Sequence, residues 1–220
     1  HTVLGKCPIQ KSDNWGSLFK KEAQLFRASP DFAINNGGPL TREFINFLGS
    51  LVSLEGYWLV DTRYHNLFPG FYPCIPGWHH DYVDRNTASG QPNYDSPRYN
   101  AYNYIMVINA DVAPTEFAEG LSAVSDINEN ELVYEKWNSE VDNLLHNKKL
   151  DLYQVQDSFV YGFDDRCFHR GVAAVKRGWR MFLRATKFTN NKWECIRDDT
   201  KCICNPPCTS YFPRTENEIR

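Results

Sequence analysis

From Gly56 onward the apolar residues stop recurring every three or four positions and begin to alternate, and this change of period limits the possible folds more than any other feature of the chain. Tyr57-Trp58-Leu59-Val60-Asp61-Thr62-Arg63-Tyr64 reads as a strand rich in aromatic and β-branched side chains. Segments 99–109 (YNAYNYIMVIN), 153–163 (YQVQDSFVYGF) and 178–188 (GWRMFLRATKF) read the same way. Ahead of the switch, Trp15, Leu18, Phe19, Leu25 and Phe26 predict a helix over 14–27, and Leu40, Phe44, Phe47, Leu48 and Leu51 predict another over 39–54. Val133, Trp137, Val141 and Leu144 predict an amphipathic helix over 131–147, inserted between strands. The expectation is a mainly β protein with flanking helices.

At 220 residues the chain fits one domain with a substantial core. We expect helical support over 1–55, a β core over 56–190 and a Cys-rich extension over 191–220. Aromatic residues make up 15% of the chain, which suits a β-rich core or an aromatic-lined cavity. A formal charge of −3 provides no global basic field, so sequence-independent binding to a phosphate backbone is not the expected role. No apolar run approaches the ~20 residues of a membrane helix and no signal-peptide pattern is present, so the expectation is a soluble, cytoplasmic protein with no membrane partner. Seven cysteines, an odd number, favour free thiols and a reducing compartment.

Two stretches carry the chemistry. In Pro76-Gly77-Trp78-His79-His80-Asp81-Tyr82, His79 and Asp81 are two apart, so on an extended backbone they project to one face while His80 leaves on the other. Two imidazoles and one carboxylate on one face of a metal leave the opposite face open to substrate, cosubstrate and dioxygen. An HxD pair alone says little in a chain with six histidines. Downstream, Phe163-Asp164-Asp165-Arg166-Cys167-Phe168-His169-Arg170-Gly171 ends a strand in a turn and opens the next with an isolated His. Gly178-Trp179-Arg180-Met181-Phe182-Leu183-Arg184 then places an Arg eleven residues after His169.

This HxD, distal His and following Arg resemble the 2-oxoglutarate- and Fe(II)-dependent dioxygenase superfamily, across residues 76–188. The resemblance implies a double-stranded β-helix (jelly-roll) core, with His79, Asp81 and His169 as catalytic iron ligands. It implies that Arg180 clamps the distal carboxylate of 2-oxoglutarate, a task that a planar guanidinium performs through two charge-assisted bonds. Arg180, Phe182 and Arg184 share a strand face opposite Trp179, Met181 and Leu183, so Arg184 is the reserve anchor. Tyr102 and Asn103 lie on a strand that in this superfamily often lines the pocket, and they are candidates for binding the cosubstrate carboxylates; ordinary sheet packing is the plain alternative. Because Asp81 stands where related halogenases have a small residue, oxygen insertion or desaturation is implied, hydroxylation first.

Around this centre the residues leave several readings open. Asp84 is a weaker carboxylate candidate than Asp81, and His65 and His146 read as polar surface residues. Arg170 either reaches substrate or forms a surface salt bridge, and Cys167 falls on the face of His169. The polar segment 84–98 is placed to be a lid. Cys195, Cys202, Cys204 and Cys208 provide four soft ligands for a structural zinc, though without paired CxxC knuckles, and free thiols or disulfides are the alternative. For the substrate, a small polar metabolite or an amino-acid or peptide side chain suits the acidic balance. Trp78, Tyr82, Tyr94 and Tyr99 would instead stack a nucleobase in a nucleic-acid partner, although Lys176, Arg177, Arg180 and Arg184 make only a faint basic track. A non-catalytic cupin-like module and a zinc hydrolase built on the same triad are the rivals from other classes.

Overall fold

The computed structural model describes residues 1–86, 88–93, 96, 101–120 and 132–189. In chain order these form β1 (Thr2–Lys6), α1 (Trp15–Phe19), α2 (Pro30–Asn36), α3 (Pro39–Leu51), β2 (Tyr57–Leu67), β3 (Ala101–Ile108), β4 (Thr115–Glu119), α4 (Val133–His146), β5 (Asp151–Gln154), β6 (Phe159–Asp164), β7 (Phe168–Gly171) and β8 (Gly178–Phe188). The protein is mainly antiparallel β, with one sheet in the order β1-β6-β3-β8-β2 and a second in the order β5-β4-β7.

Alternation along β8 decides what each face does. Met181, Leu183 and Ala185 join Phe44, Ile45 and Leu48 of α3 in one apolar cluster, so the helices cover that face of the large sheet. Arg180, Phe182 and Arg184 point the other way. There Ile105 and Val107 of β3 and Tyr161 and Phe163 of β6 pack with Phe117 of β4 and Val155, which places apolar residues of both sheets in contact. Arg180 and Arg184 of β8 and Asp61, Arg63 and His65 of β2, on this same face, line a cavity.

Two predicted elements come out differently. The helix expected over 14–27 ends at Phe19, and beyond it Leu25 and Ala28 lie beside β2 on either side of a bend, where Leu25 and Thr62 exchange bonds and Ala28 pairs with Val60. Leu25 and Phe26 are thus spaced like a helix but serve a sheet edge. Glu22, in the turn between, accepts bonds from the backbone of Leu40 and Thr41 and from the Thr41 hydroxyl, so it caps α3 from outside the helix. Gly38, the residue that would otherwise cap α3, sits at φ 99° with its Cα against the Lys21 carbonyl, where a Cβ would come within 2.5 Å.

The strand expected over 153–163 is two strands, β5 and β6, one in each sheet. Between them Ser158 takes a φ of 63°, and Asp157 accepts the amides of Asn109 and Ala110, holding the crossing point. The region expected as helical support also supplies β1, which pairs with β6 at the sheet edge. The inserted helix is present as α4, burying Trp137 and Val141.

Among the described residues no helix is long and apolar enough to cross a membrane. Cys7, Cys74 and Cys167 are free thiols. Cys195, Cys202, Cys204 and Cys208, with the zinc site expected from them, lie outside the described residues, as do Tyr94, Tyr99 and parts of the expected lid.

Candidate metal centre

The His-Asp stretch reaches the second sheet through a single antiparallel bridge: the His79 amide donates to the His169 carbonyl at 3.0 Å and the His169 amide donates back at 3.1 Å. Gly77, just before it, has φ 100°, and a Cβ there would lie 2.6 Å from the Asn138 amide group. Asn138 of α4 accepts the Trp78 amide at 2.5 Å, and Asp142 one turn on accepts the Trp78 indole N–H at 2.8 Å. Arg170 lies 4.2 Å over the Trp78 ring and donates to Glu116 and Asp142. The residue before His79 and the residue after His169 are therefore stacked and tied to the same helix.

The ligating atoms of His79, Asp81 and His169 all lie within 4.8 Å of one another. Both imidazoles are oriented alike. Nδ1 of His79 is 2.9 Å from the Gly77 carbonyl and Nδ1 of His169 is 3.1 Å from the Cys167 carbonyl, each two residues back. A carbonyl accepts, so each Nδ1 carries a proton, which leaves Nε2 as the atom that each ring turns toward a metal. Burial and the neighbouring His169 push the His79 pKa down to about 4, which keeps that imidazole neutral near pH 7. The set of two imidazole nitrogens and one carboxylate suits Fe(II), Ni(II) or Zn(II) better than Mg(II) or Ca(II), which take oxygen.

Asp81 lies 3.3 Å from His169 Nε2 and also meets Arg184 Nη1. Burial pushes its carboxyl up, but Arg184, His169 and His79 outweigh this and hold it well below the usual carboxylate range. Arg184 also donates to Asp61 at 2.8 Å and lies over Tyr82, so its charge is matched by two carboxylates. His80 leaves on the other side, 4.8 Å from the Trp137 ring and 3.8 Å from Phe168, and burial lowers its pKa to about 3. It packs beside the triad and stands outside it.

Arg180 is only 3% exposed. Its Nε donates to the Ala113 carbonyl at 2.6 Å and its Nη2 to the Thr115 hydroxyl at 2.8 Å. Among the described residues no carboxylate pairs with it, and burial lowers its pKa to about 10. It lines the same cavity of about 370 Å³ as His79, Asp81 and His169. A buried cation without a counter-charge, beside three converging metal-type donors, makes a place for an anion.

The other expected residues fall elsewhere. Tyr102 packs with the helix-side cluster on the far face of β3. Asn103 is on the inner face but does not line the cavity; its Oδ1 accepts the Thr186 hydroxyl at 2.8 Å and both residues are fully buried. His65, expected at the surface, is 4% exposed and lines the cavity, as does Arg63. Both follow from the register of β2 against β8, which sets Asp61, Arg63 and His65 opposite Arg184, Phe182 and Arg180. Alternation marks these three as sharing a face; only the β2–β8 pairing says which face. His146 is exposed at the end of α4, as expected.

No family model matches the chain, and no curated protein matches it. Among solved structures it is similar to EvdO2 from Micromonospora carbonacea var. aurantiaca complexed with 2-oxoglutarate, at 8% identity and a TM-score of 0.32, over 66% of this chain. The chain spans 56% of that protein's length. A likeness this loose decides neither fold nor function.

Proposed function

We propose that the protein is a non-haem Fe(II) oxygenase that couples 2-oxoglutarate decarboxylation to oxidation of a small substrate or side chain, most simply hydroxylation. The observation that carries this is Arg180: a buried guanidinium with no carboxylate partner among the described residues, lining the same cavity as His79, Asp81 and His169. A non-catalytic metal module has no use for such a cation, and hydrolysis at a zinc held by the triad does not in itself call for one. In this reading the two packed sheets are the two halves of a double-stranded β-helix.

Each residue then has a task. His79 and His169 present Nε2 to the metal, their rings held by the Gly77 and Cys167 carbonyls. Asp81 supplies the single carboxylate, oriented by Arg184. Arg180 and the Thr115 hydroxyl receive the distal carboxylate of 2-oxoglutarate, and the Ala113 carbonyl fixes the plane of the guanidinium. Iron bound there would activate dioxygen at the expense of the cosubstrate's keto-acid end. Phe182, between the two arginines of β8, keeps that part of the wall apolar.

The test is turnover in air with Fe(II) and 2-oxoglutarate, using His79→Ala as the blank. Release of succinate that depends on both additions and is absent from the variant is expected. No succinate, together with hydrolytic activity under Zn(II), would assign the site to the hydrolase class.

A further inference from the structure

Among the described residues four arginines line the cavity, and three have an assigned charge. Arg184 is matched by Asp61 and Asp81, Arg170 by Glu116 and Asp142, and Arg180 is given to 2-oxoglutarate by the reading above. The fourth, Arg63, meets no carboxylate or other side-chain acceptor among the described residues. It projects from β2 between Asp61 and His65, opposite Phe182, so along the strand it stands about 7 Å from each of the rows that hold Arg184 and Arg180. Unlike Arg180 it is exposed, and it shares the cavity wall with two exposed apolar side chains, Ile75 at 60% and Tyr134 at 48%.

We propose that Arg63 is the specificity residue for the oxidised substrate, and that this substrate is a small molecule with an apolar body and an oxyanion group, a carboxylate or a phosphate ester. The proposal rests on the oxygenase reading, which assigns Arg180 to the cosubstrate. Arg63 is well solvated while the cavity is open. A substrate that fills the mouth removes that water, and a neutral or cationic one would then leave a desolvated guanidinium uncompensated. An anionic substrate turns the same desolvation into a two-point, charge-assisted contact. Phe182, Ile75 and Tyr134 offer apolar surface to the rest of the molecule. A cavity of about 370 Å³ is at the small end for ligand sites, so with the cosubstrate in place only a small molecule fits beside it.

The experiment is calorimetric titration of phenylacetate, phenyl phosphate and the neutral phenylacetamide into wild-type protein loaded with Ni(II) and 2-oxoglutarate. At least one anion should bind, with the amide about tenfold weaker or more. Arg63→Gln should weaken the anion by about tenfold or more and leave 2-oxoglutarate affinity within about twofold, while Arg63→Lys should restore part of the loss. Tighter phenyl phosphate assigns a phosphate ester, and tighter phenylacetate a carboxylate. Equal binding of the amide, unchanged anion binding in Arg63→Gln, or no anion binding to wild type overturns the proposal. If wild type takes up Ni(II) but not 2-oxoglutarate, the oxygenase reading fails separately, and the anion titration on that protein still decides the role of Arg63.

Discussion

Arg184 holds Asp61 and Asp81 together: one guanidinium donates to a buried carboxylate on its neighbouring strand and to the carboxylate of the candidate metal set. The pair links the frame of the large sheet to a short segment whose backbone bonds to the second sheet at the His79–His169 bridge. Three consequences of the site and one of the frame can be measured.

Removing Arg184 leaves Asp61, which is 4% exposed, without its main cation. Arg184→Met should therefore lower stability by about 3 kcal/mol in urea unfolding. The double variant Asp61→Asn/Arg184→Met should be more stable than the single one, because the uncompensated charge goes with its partner. A double variant that loses the sum of both single effects would show that the two residues act independently.

Arg180 should behave in the opposite way. A buried guanidinium whose pKa is lowered to about 10 by burial works against the fold when nothing anionic is bound. Arg180→Met should leave the ligand-free protein as stable as wild type or more stable, by about 1 kcal/mol or more. The same variant should show no stabilisation by added 2-oxoglutarate, which wild type should show in a thermal melt. A large loss of stability in the variant would mean that the bonds to Ala113 and Thr115 are the residue's whole purpose.

Gly77 is placed under strain by any side chain. Its φ of 100° is left-handed and a Cβ would lie 2.6 Å from the Asn138 side chain, which in turn holds the Trp78 amide. Gly77→Ala should cost about 1–3 kcal/mol and weaken Ni(II) binding about tenfold or more, since the turn delivers His79. Wild-type metal affinity in this variant would separate the turn from the metal centre.

Glu22 gives a pH test away from the site. Burial raises its pKa above 4.5, outweighing the bonds from Thr41 and Leu40, so the folded protein holds this proton more tightly than the unfolded chain. With the unfolded value the lower of the two, its contribution to stability grows as pH falls through the folded pKa toward 4.5 and shrinks again as pH rises. Wild type should gain stability relative to Glu22→Gln over that descent. Glu22→Ala should lose about 2 kcal/mol near pH 7, because two α3 amides and a hydroxyl lose their acceptor. A difference between wild type and Glu22→Gln that grows with rising pH would contradict the assignment.

Much of the site was legible in the chain because strand geometry is strict. His79 and Asp81 two apart, and Arg180, Phe182 and Arg184 alternating with apolar neighbours, leave little freedom once the segments are extended. Arg63 and His65 were not, because alternation tells which residues share a face and the pairing of β2 with β8 tells what that face meets. The commitment of Arg184 to Asp61 was hidden for the same reason: the two are 123 residues apart in sequence. The helical spacing of Leu25 and Phe26 misled because local period competes with the tertiary demand of a sheet edge, here met by Ala28 on Val60. The division of 153–163 between two sheets needs the left-handed turn at Ser158, and Asp157-Ser158, with no Gly or Pro, is a weak turn signal inside an otherwise strand-like run.

The most direct measurement is 2-oxoglutarate binding to the anaerobic Fe(II) protein, followed by the charge-transfer absorption of the chelate, in wild type, Arg180→Gln and Asp81→Ala. The account predicts a saturable band in wild type, a band in Arg180→Gln that needs about a hundredfold more 2-oxoglutarate while iron content is unchanged, and loss of iron in Asp81→Ala. A wild-type protein that binds iron at His79, Asp81 and His169 and gives no band with 2-oxoglutarate, or one whose band is indifferent to Arg180, would contradict it.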